Sequence, residues 1–327
     1  MALLRTDFTR LLQQQATEIF WENYNEVAPV WRNFFTETNI STPYVEKQSM
    51  LGMGDLVEKP ENEPFVYDTP TMGWPILGSV RSYGKAVAFS AELYDDTQFR
   101  GLFTDMVQQI AQNYSRTRDR FYAQFFNNGA FATGDRVFDA TVPGVKQDAT
   151  GGFIYDGRPL FAQESNGHPA LMNQGETYAN YAALQLTQEN LELVYKKMTI
   201  ENAYDEQGNK IILRPDTLVV PQELELHAQG ILNAEYTATA AGVASTIRNP
   251  MYRRFKIVVW PHLTDPDGWF LIQRGQGFKA LNRQDPLINV WYDDETMQWR
   301  GSVWCRFGGY VDNWRYAFAC NTPTAKA

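Results

Sequence analysis

Hydrophobic residues recur at helical spacing from Thr6 to Tyr24, where Phe8, Leu11, Leu12, Ala16, Ile19 and Phe20 form one stripe, and Pro29 stops any continuation past Ala28. This predicts an amphipathic N-terminal arm. From Thr42 to about Tyr83 the pattern dissolves, because prolines at 43, 60, 64, 70 and 75 and glycines at 52, 54, 73 and 78 exclude helix. Tyr83, Lys85, Val87 and Phe89 then alternate with small residues, which predicts a strand returning from the excursion. A connection of roughly 50 residues is uncommon inside a compact domain, and such loops usually bind something outside their own core.

The strongest element is a helix over Thr97 to Asn127, with Phe99, Leu102, Phe103, Met106, Ile110, Tyr114, Phe121, Tyr122 and Phe125 on one stripe, Asp96 as its cap and Gly129 as its stop. At about 1.5 Å per residue it is some 45 Å long, a structural spine. A loop rich in Gly and Asp, 129–152, follows. Thr187 to Met198 predicts a second helix, with Glu189 and Glu192 early and Lys196 and Lys197 late, as the helix dipole prefers. Ile211 to Leu213 and Leu218 to Val220 read as strands, and Pro221 opens a short helix through Leu224, Ala228, Ile231 and Leu232. The small-residue run Thr237 to Ser245 reads as a surface loop. Strands then dominate: Ile257 to Trp260, Trp269 to Ile272, Leu287 to Tyr292, Trp299 to Cys305 and Trp314 to Ala319. The fold class is α+β, with no internal repeat.

Composition narrows the chemistry. The 327 residues are 44% hydrophobic and 20% charged, with 29 basic and 38 acidic side chains and a net charge of −9. That is a folded, globular composition long enough for one or two domains. No window is apolar enough to span a bilayer, and Arg5, Asp7 and Arg10 interrupt any secretory signal, so a cytoplasmic site of folding is expected. The two cysteines, Cys305 and Cys320, form no CxxC pair and read as small buried hydrophobes. Catalysis finds no foothold: His168, His227 and His262 lie in no ligand spacing, and no nucleophile elbow, zinc helix or phosphate loop is present. The acid pairs Asp95 and Asp96, Asp265 and Asp267, and Asp293 and Asp294 suit a helix cap and two turns better than a metal. No catalytic residue, metal site or cofactor is therefore expected. The acidic balance, with a pI near 5.0, also argues against sequence-specific nucleic-acid binding.

Several stretches carry a resemblance. Tyr155-Asp156-Gly157-Arg158-Pro159-Leu160-Phe161, followed by Ser165 and His168, is similar to a stretch of Mu-like phage head subunits. So are Val219-Val220-Pro221-Gln222 with Leu224 and Ala228, and Trp260-Pro261-His262-Leu263 before Trp269-Phe270-Leu271. Arg306-Phe307-Gly308-Gly309-Tyr310 with Asp312, Trp314 and Arg315 closes the series. In this order, and with the arm, loop, spine and α/β insertion, the chain resembles the major capsid protein of tailed double-stranded DNA bacteriophages, which has the Hong Kong ninety-seven fold.

The resemblance implies an N-terminal arm at 1–43 and an extended E-loop at 44–91. It further implies a peripheral domain from 92–180 and 286–327 and an axial domain at 181–285. It implies a structural protein that self-assembles into hexamers and pentamers of an icosahedral head in the host cytoplasm, enclosing DNA bound only non-specifically. A separate scaffolding protein, a portal and a decoration protein are the implied partners, with no membrane. His168 then belongs to the subunit framework. The fold also admits an encapsulin-type compartment, and the tryptophans at 260, 269, 291, 299, 304 and 314 leave a carbohydrate-binding or hydrolase domain as a further alternative. Between Val45 and Pro75 six acids face two lysines, a net of −4, whereas 98–128 of the spine carries +2. If one subunit's loop crosses its neighbour, Asp55, Glu58, Glu61, Glu63 and Trp74 are the expected contacts for Arg116, Arg118 and Arg120.

Overall fold

The computed structural model describes residues 5–26, 29–50, 58–65, 67, 72–90, 99–129, 154–170, 176–205, 208–236 and 248–320. Two helices form as the apolar stripes require: α1, Arg5–Glu26, and α2, Phe99–Asn127. They pack on each other, with Phe20 and Tyr24 placing their rings 5.9 and 5.3 Å from Tyr114. One face of the N-terminal helix, at Ala16, Phe20 and Tyr24, is therefore buried against its own chain. The proposed cap Asp96 lies outside the described residues, as do the loop from 130 to 153 and the small-residue run Thr237 to Ser245. Gly129 follows α2 for a steric reason rather than a left-handed one: a Cβ there would strike the Phe161 ring and the Phe125 carbonyl.

Five strands make the first sheet, in the order β1-β10-β11-β3-β2. They are β1, Thr36–Asn39; β2, Tyr44–Met50; β3, Met72–Ser90; β10, Phe278–Asp293; and β11, Gln298–Val311. All neighbours are antiparallel except β1 and β10. The inner face presents Val303, Cys305 and Phe307 to the helices, burying an aromatic core with Phe121, Tyr122 and Phe125. Gly308 lies where β3 crosses closest, and any side chain there would collide with the Ser79 carbonyl.

Three of these strands outrun the alternation that predicts them. β3 begins at Met72 rather than near Tyr83, despite Gly73, Pro75 and Gly78. Over this stretch it pairs with β2 alone, so a proline without an N–H loses no ladder on its other edge. β10 begins at Phe278 and β11 ends at Val311, both well beyond the expected segments. Register shifts between Asn282 and Leu287 accommodate Pro286 and break the period-two pattern there. The expected turn at Asp293 is present: its carboxylate accepts from the Glu295 amide at 3.2 Å and the Thr296 hydroxyl at 2.7 Å.

The second sheet has the order β6-β12-β9-β7-β8. Here β6 is Tyr181–Ala182, β7 Thr217–Val220, β8 Lys256–Val259, β9 Trp269–Ile272 and β12 Ala317–Cys320. A small pair, β4 at His168–Pro169 and β5 at Thr177–Tyr178, stands beside it. The central strands β7, β9 and β12 are buried throughout, because alternate residues enter different cores. Val219, Phe270 and Ala319 face the aromatic core, whereas Leu218, Leu271 and Phe318 face a second one under α3, Gln188–Lys196, and α4, Glu225–Asn233. Thr187 caps α3 by accepting from the Asn190 amide.

Two expected strands are corrected. Ile211 to Leu213 forms no strand: beside the single bridge between Tyr204 and Lys210 only the Ile211 amide reaches back, to the Ala203 carbonyl at 2.9 Å, before Pro215 ends the segment. Trp314 to Tyr316 is a 3-10 turn, and the strand starts at Ala317.

Candidate assembly surfaces

β2 and β3 form a hairpin that runs out of the first sheet, pairing from Tyr44 with Ser79 to Met50 with Met72. Lys47 pins its base, reaching Asp312 at 2.7 Å. Beyond the ladder, 58–65 carries a turn in which the Glu63 amide donates to the Pro60 carbonyl and Asn62 takes a positive φ of 68°. Glu58, Glu61 and Glu63 are exposed there, and Trp74 is half-buried on β3. Asp55 lies outside the described residues. The sequence reading missed Phe65 and Tyr67, which stand 71% and 91% exposed at this tip. Aromatic residues next to Pro64 in an acid-rich segment were the available signal.

The three helix arginines do not share a face. Arg116 and Arg120 are exposed, but Arg118 is 2% exposed and belongs to the chain's own interior. Its guanidinium donates to Glu37 at 2.8 Å and to the Tyr114 hydroxyl at 3.2 Å, and lies 4.5 Å from the Trp31 ring centroid. Arg118 is thus withdrawn from the expected interface. The cause is helical geometry: two positions on is about 200° around the axis, whereas Arg116 and Arg120, four apart, return to one side. Asp119 faces inward as well, accepting from the Trp31 and Val30 amides at 2.9 and 3.3 Å. Burial raises its pKa, and these two bonds partly offset the rise.

Two of the stretches that carry the resemblance meet in one buried node. Gly157, at φ 71°, turns the chain so that Asp156 both accepts from the Arg158 amide and reaches His168 Nδ1 at 2.6 Å. His168 Nε2 lies 3.2 Å from the Asn180 side-chain oxygen, and its ring stacks on Trp314 at 4.1 Å. Asn180 in turn donates to the Leu160 and Ala317 carbonyls. Both imidazole nitrogens are engaged inside the subunit, and the ring is fully buried.

His227 and one oxygen of Asp265 are also engaged locally. His227 Nε2 lies 2.7 Å from the Leu186 carbonyl, and the Asp265 carboxylate accepts from the Asp267 amide within its own turn. Burial lowers the pKa of His262. Cys305 and Cys320 are buried free thiols, and burial pushes Cys305 up to about 11. Among the described residues no three of His, Cys, Asp and Glu gather as a metal site. Trp260, Trp269, Trp299 and Trp314 are core residues, so the six tryptophans build no common sugar platform. Trp291 and Trp304 alone of the six are exposed, on the outer face of β10 and β11, where Trp304 pairs with the equally exposed Leu287.

A molecule with a protruding hairpin, an exposed aromatic tip and a buried, fully engaged His168 has the features of a building block. Comparison with known proteins gives that description a family. A comparison of the sequence with characterised proteins returns no match. Among solved structures, the chain is similar to one from Mycobacterium phage Patience, at 13% identity and a TM-score of 0.57, covering 98% of this chain and 90% of that one. It is also similar to the mature capsid of bacteriophage PhiM1, at 10% identity and 0.54, covering 90% and 87%. The capsid of a native GTA particle matches at 12% and 0.53, covering 90% of each chain. At such identities these likenesses establish the fold. The family model described as phage capsid protein matches residues 75–320, three quarters of the sequence, and the chain therefore belongs to the phage capsid protein family.

Proposed function

We propose that copies of this chain, a structural protein of the virion, close into pentamers and hexamers that tile an icosahedral head around double-stranded DNA. The family match over 75–320 carries this reading. In it the hairpin of β2 and β3 is the E-loop, the first sheet with α1 and α2 is the peripheral domain, and the second sheet with α3 and α4 is the axial domain. The strand pairing supports moving two boundaries: Phe278 to Asn282 goes with the peripheral sheet and Ala317 to Cys320 with the axial one.

The E-loop of one subunit lies across the peripheral domain of the next, with the acids Glu58, Glu61 and Glu63 opposite Arg116 and Arg120. Each exposed pair contributes only about 0–1 kcal/mol, but a closed ring repeats the contact in every subunit. A net-acidic wall holds DNA weakly, which lets the genome slide during filling and release. Scaffolding, portal and decoration chains are the expected further partners, with assembly in the host cytoplasm.

Expression of the full chain followed by negative-stain imaging tests the reading. Capsomers or irregular shells from the chain alone, closing into uniform heads with a scaffold, are expected. A monomer at every concentration overturns it. Particles that hold an enzyme cargo instead of DNA would place the chain in a storage compartment of the same fold.

A further inference from the structure

Tyr83 of β3, Ile110 and Tyr114 of α2, and Val303, Cys305 and Phe307 of β11 line a mostly apolar cavity of about 230 Å³ between the long helix and the sheet. Lys85 lines it too, and Arg116 is exposed less than one helical turn from the lining Asn113. The Tyr83 hydroxyl is buried with no hydrogen-bond partner among the described residues. The surroundings are cationic and the walls aromatic.

The same chain offers a complementary shape elsewhere. Segment 58–67 bears Glu58, Glu61 and Glu63 against Lys59 alone, and its Phe65 ring, 71% exposed, has the Lys59 ammonium 4.7 Å from its centroid. Phe65 cannot fill the cavity of its own subunit. Gly84 at the cavity and Met72 at the far end of β3 are separated by about 40 Å of strand, and the few residues from Met72 back to Phe65 span at most about 25 Å.

We propose that the tip at 58–67 of one copy seats Phe65 in this cavity of a second copy, with its acids beside Lys85 and Arg116. The proposal rests on the shell reading and adds to it an aromatic anchor that sets the register between neighbours. A buried ring in a preformed pocket, rimmed by charges, is the usual composition of an interface hot spot. Acidic residues around the ring steer the encounter, and the pocket holds it.

The test is a cross-link in assembled particles of the full chain. Because the free thiol Cys305 lines the cavity, the pair is made in a Cys305→Ala background, where Phe65→Cys combined with Thr117→Cys on the cavity rim is expected to give, on oxidation, a ladder of covalent oligomers ending at closed rings, which neither cysteine alone gives. Particles that form normally but run only as monomers overturn the proposal and leave the shell reading intact, whereas absence of particles from the unaltered chain overturns both. Phe65→Ser supplies an independent arm, since Phe65 is exposed in the single chain. The variant is expected to keep the wild-type melting temperature while needing at least roughly tenfold more chain to form capsomers. Assembly of Phe65→Ser at the wild-type concentration overturns the proposal.

Discussion

Arg118 donates to Glu37 across 2.8 Å, tying the middle of the long helix to a strand 81 residues earlier in the chain. The guanidinium also lies over Trp31 and beside Tyr114, so that a permanent cation is enclosed by rings and one carboxylate. Removing it leaves a cavity and strands Glu37, which is itself partly solvated. Arg118→Ala is expected to cost about 3 kcal/mol, whereas Arg116→Glu on the exposed face changes stability by no more than about 0.5 kcal/mol. Urea denaturation of the two variants decides it, and equal small losses would show that Arg118 is not structural.

The His168 node makes a second expectation. His168→Ala leaves the Asp156 carboxylate buried and without its principal partner, and removes the ring that stacks on Trp314. A loss of about 3–5 kcal/mol is expected, with insoluble protein at the growth temperature. A soluble variant with an unchanged urea midpoint would mean that Asp156 is paired by other means.

Phe121 packs its ring 5.4 Å from Phe307 and 5.0 Å from Tyr122 in the aromatic core. Phe121→Ala is expected to cost about 3–5 kcal/mol, read as a lowered denaturation midpoint. The side chain of Phe103, on the same predicted stripe, lies outside the described residues, so the helix is tested at Phe121.

Alkaline pH should unfold the subunit through groups that burial keeps neutral. Burial pushes Cys305 up to about 11 and Tyr122 to about 12, and raises Tyr83 and Tyr114 as well. Each is an acid whose folded pKa exceeds its unfolded value, so its stabilising contribution is complete below the unfolded pKa and is lost as pH rises through the folded one. With unfolded values near 8.5 for the thiol and 10 for the phenols, stability should hold to about pH 8.5 and fall steeply between about 9 and 12. Guanidinium titrations at pH 8 and 11 measure this; identical midpoints would contradict it. Alkylation of Cys305 at pH 8 should accordingly be slow until the chain unfolds.

Lysine chemistry supplies a last expectation. Lys47 is engaged by Asp312, and the Lys59 ammonium lies over the Phe65 ring of its own segment, so neither is presented as a free nucleophile to a neighbour. Denatured particles should run as one band near 37.5 kDa. A covalent ladder in the unaltered protein would refute this.

Much of this architecture was legible in the residues alone. The long helix, described from Phe99, ends where expected, α3 falls within the expected Thr187 to Met198, and Asp293 turns the hairpin. These features rest on short-range physics: apolar periodicity, a capping oxygen and a turn carboxylate act over four residues or fewer. The order of the resembling stretches likewise carried the family.

Tertiary structure decided the rest. The length of β10 depends on bulges that let Pro286 sit between ladders, and the place of β12 in the second sheet depends on strands far away in the sequence. Arg118 reads as a surface cation because a side chain's burial is set by what packs over it, here Glu37 and Trp31 from another segment. The meeting of His168 with Trp314 has the same origin, since contacts between residues more than a hundred positions apart leave no periodic trace in either stretch. Local propensities thus determined which elements form. Only the packing of those elements decided which charged and aromatic side chains stay outside, where a neighbouring subunit can reach them.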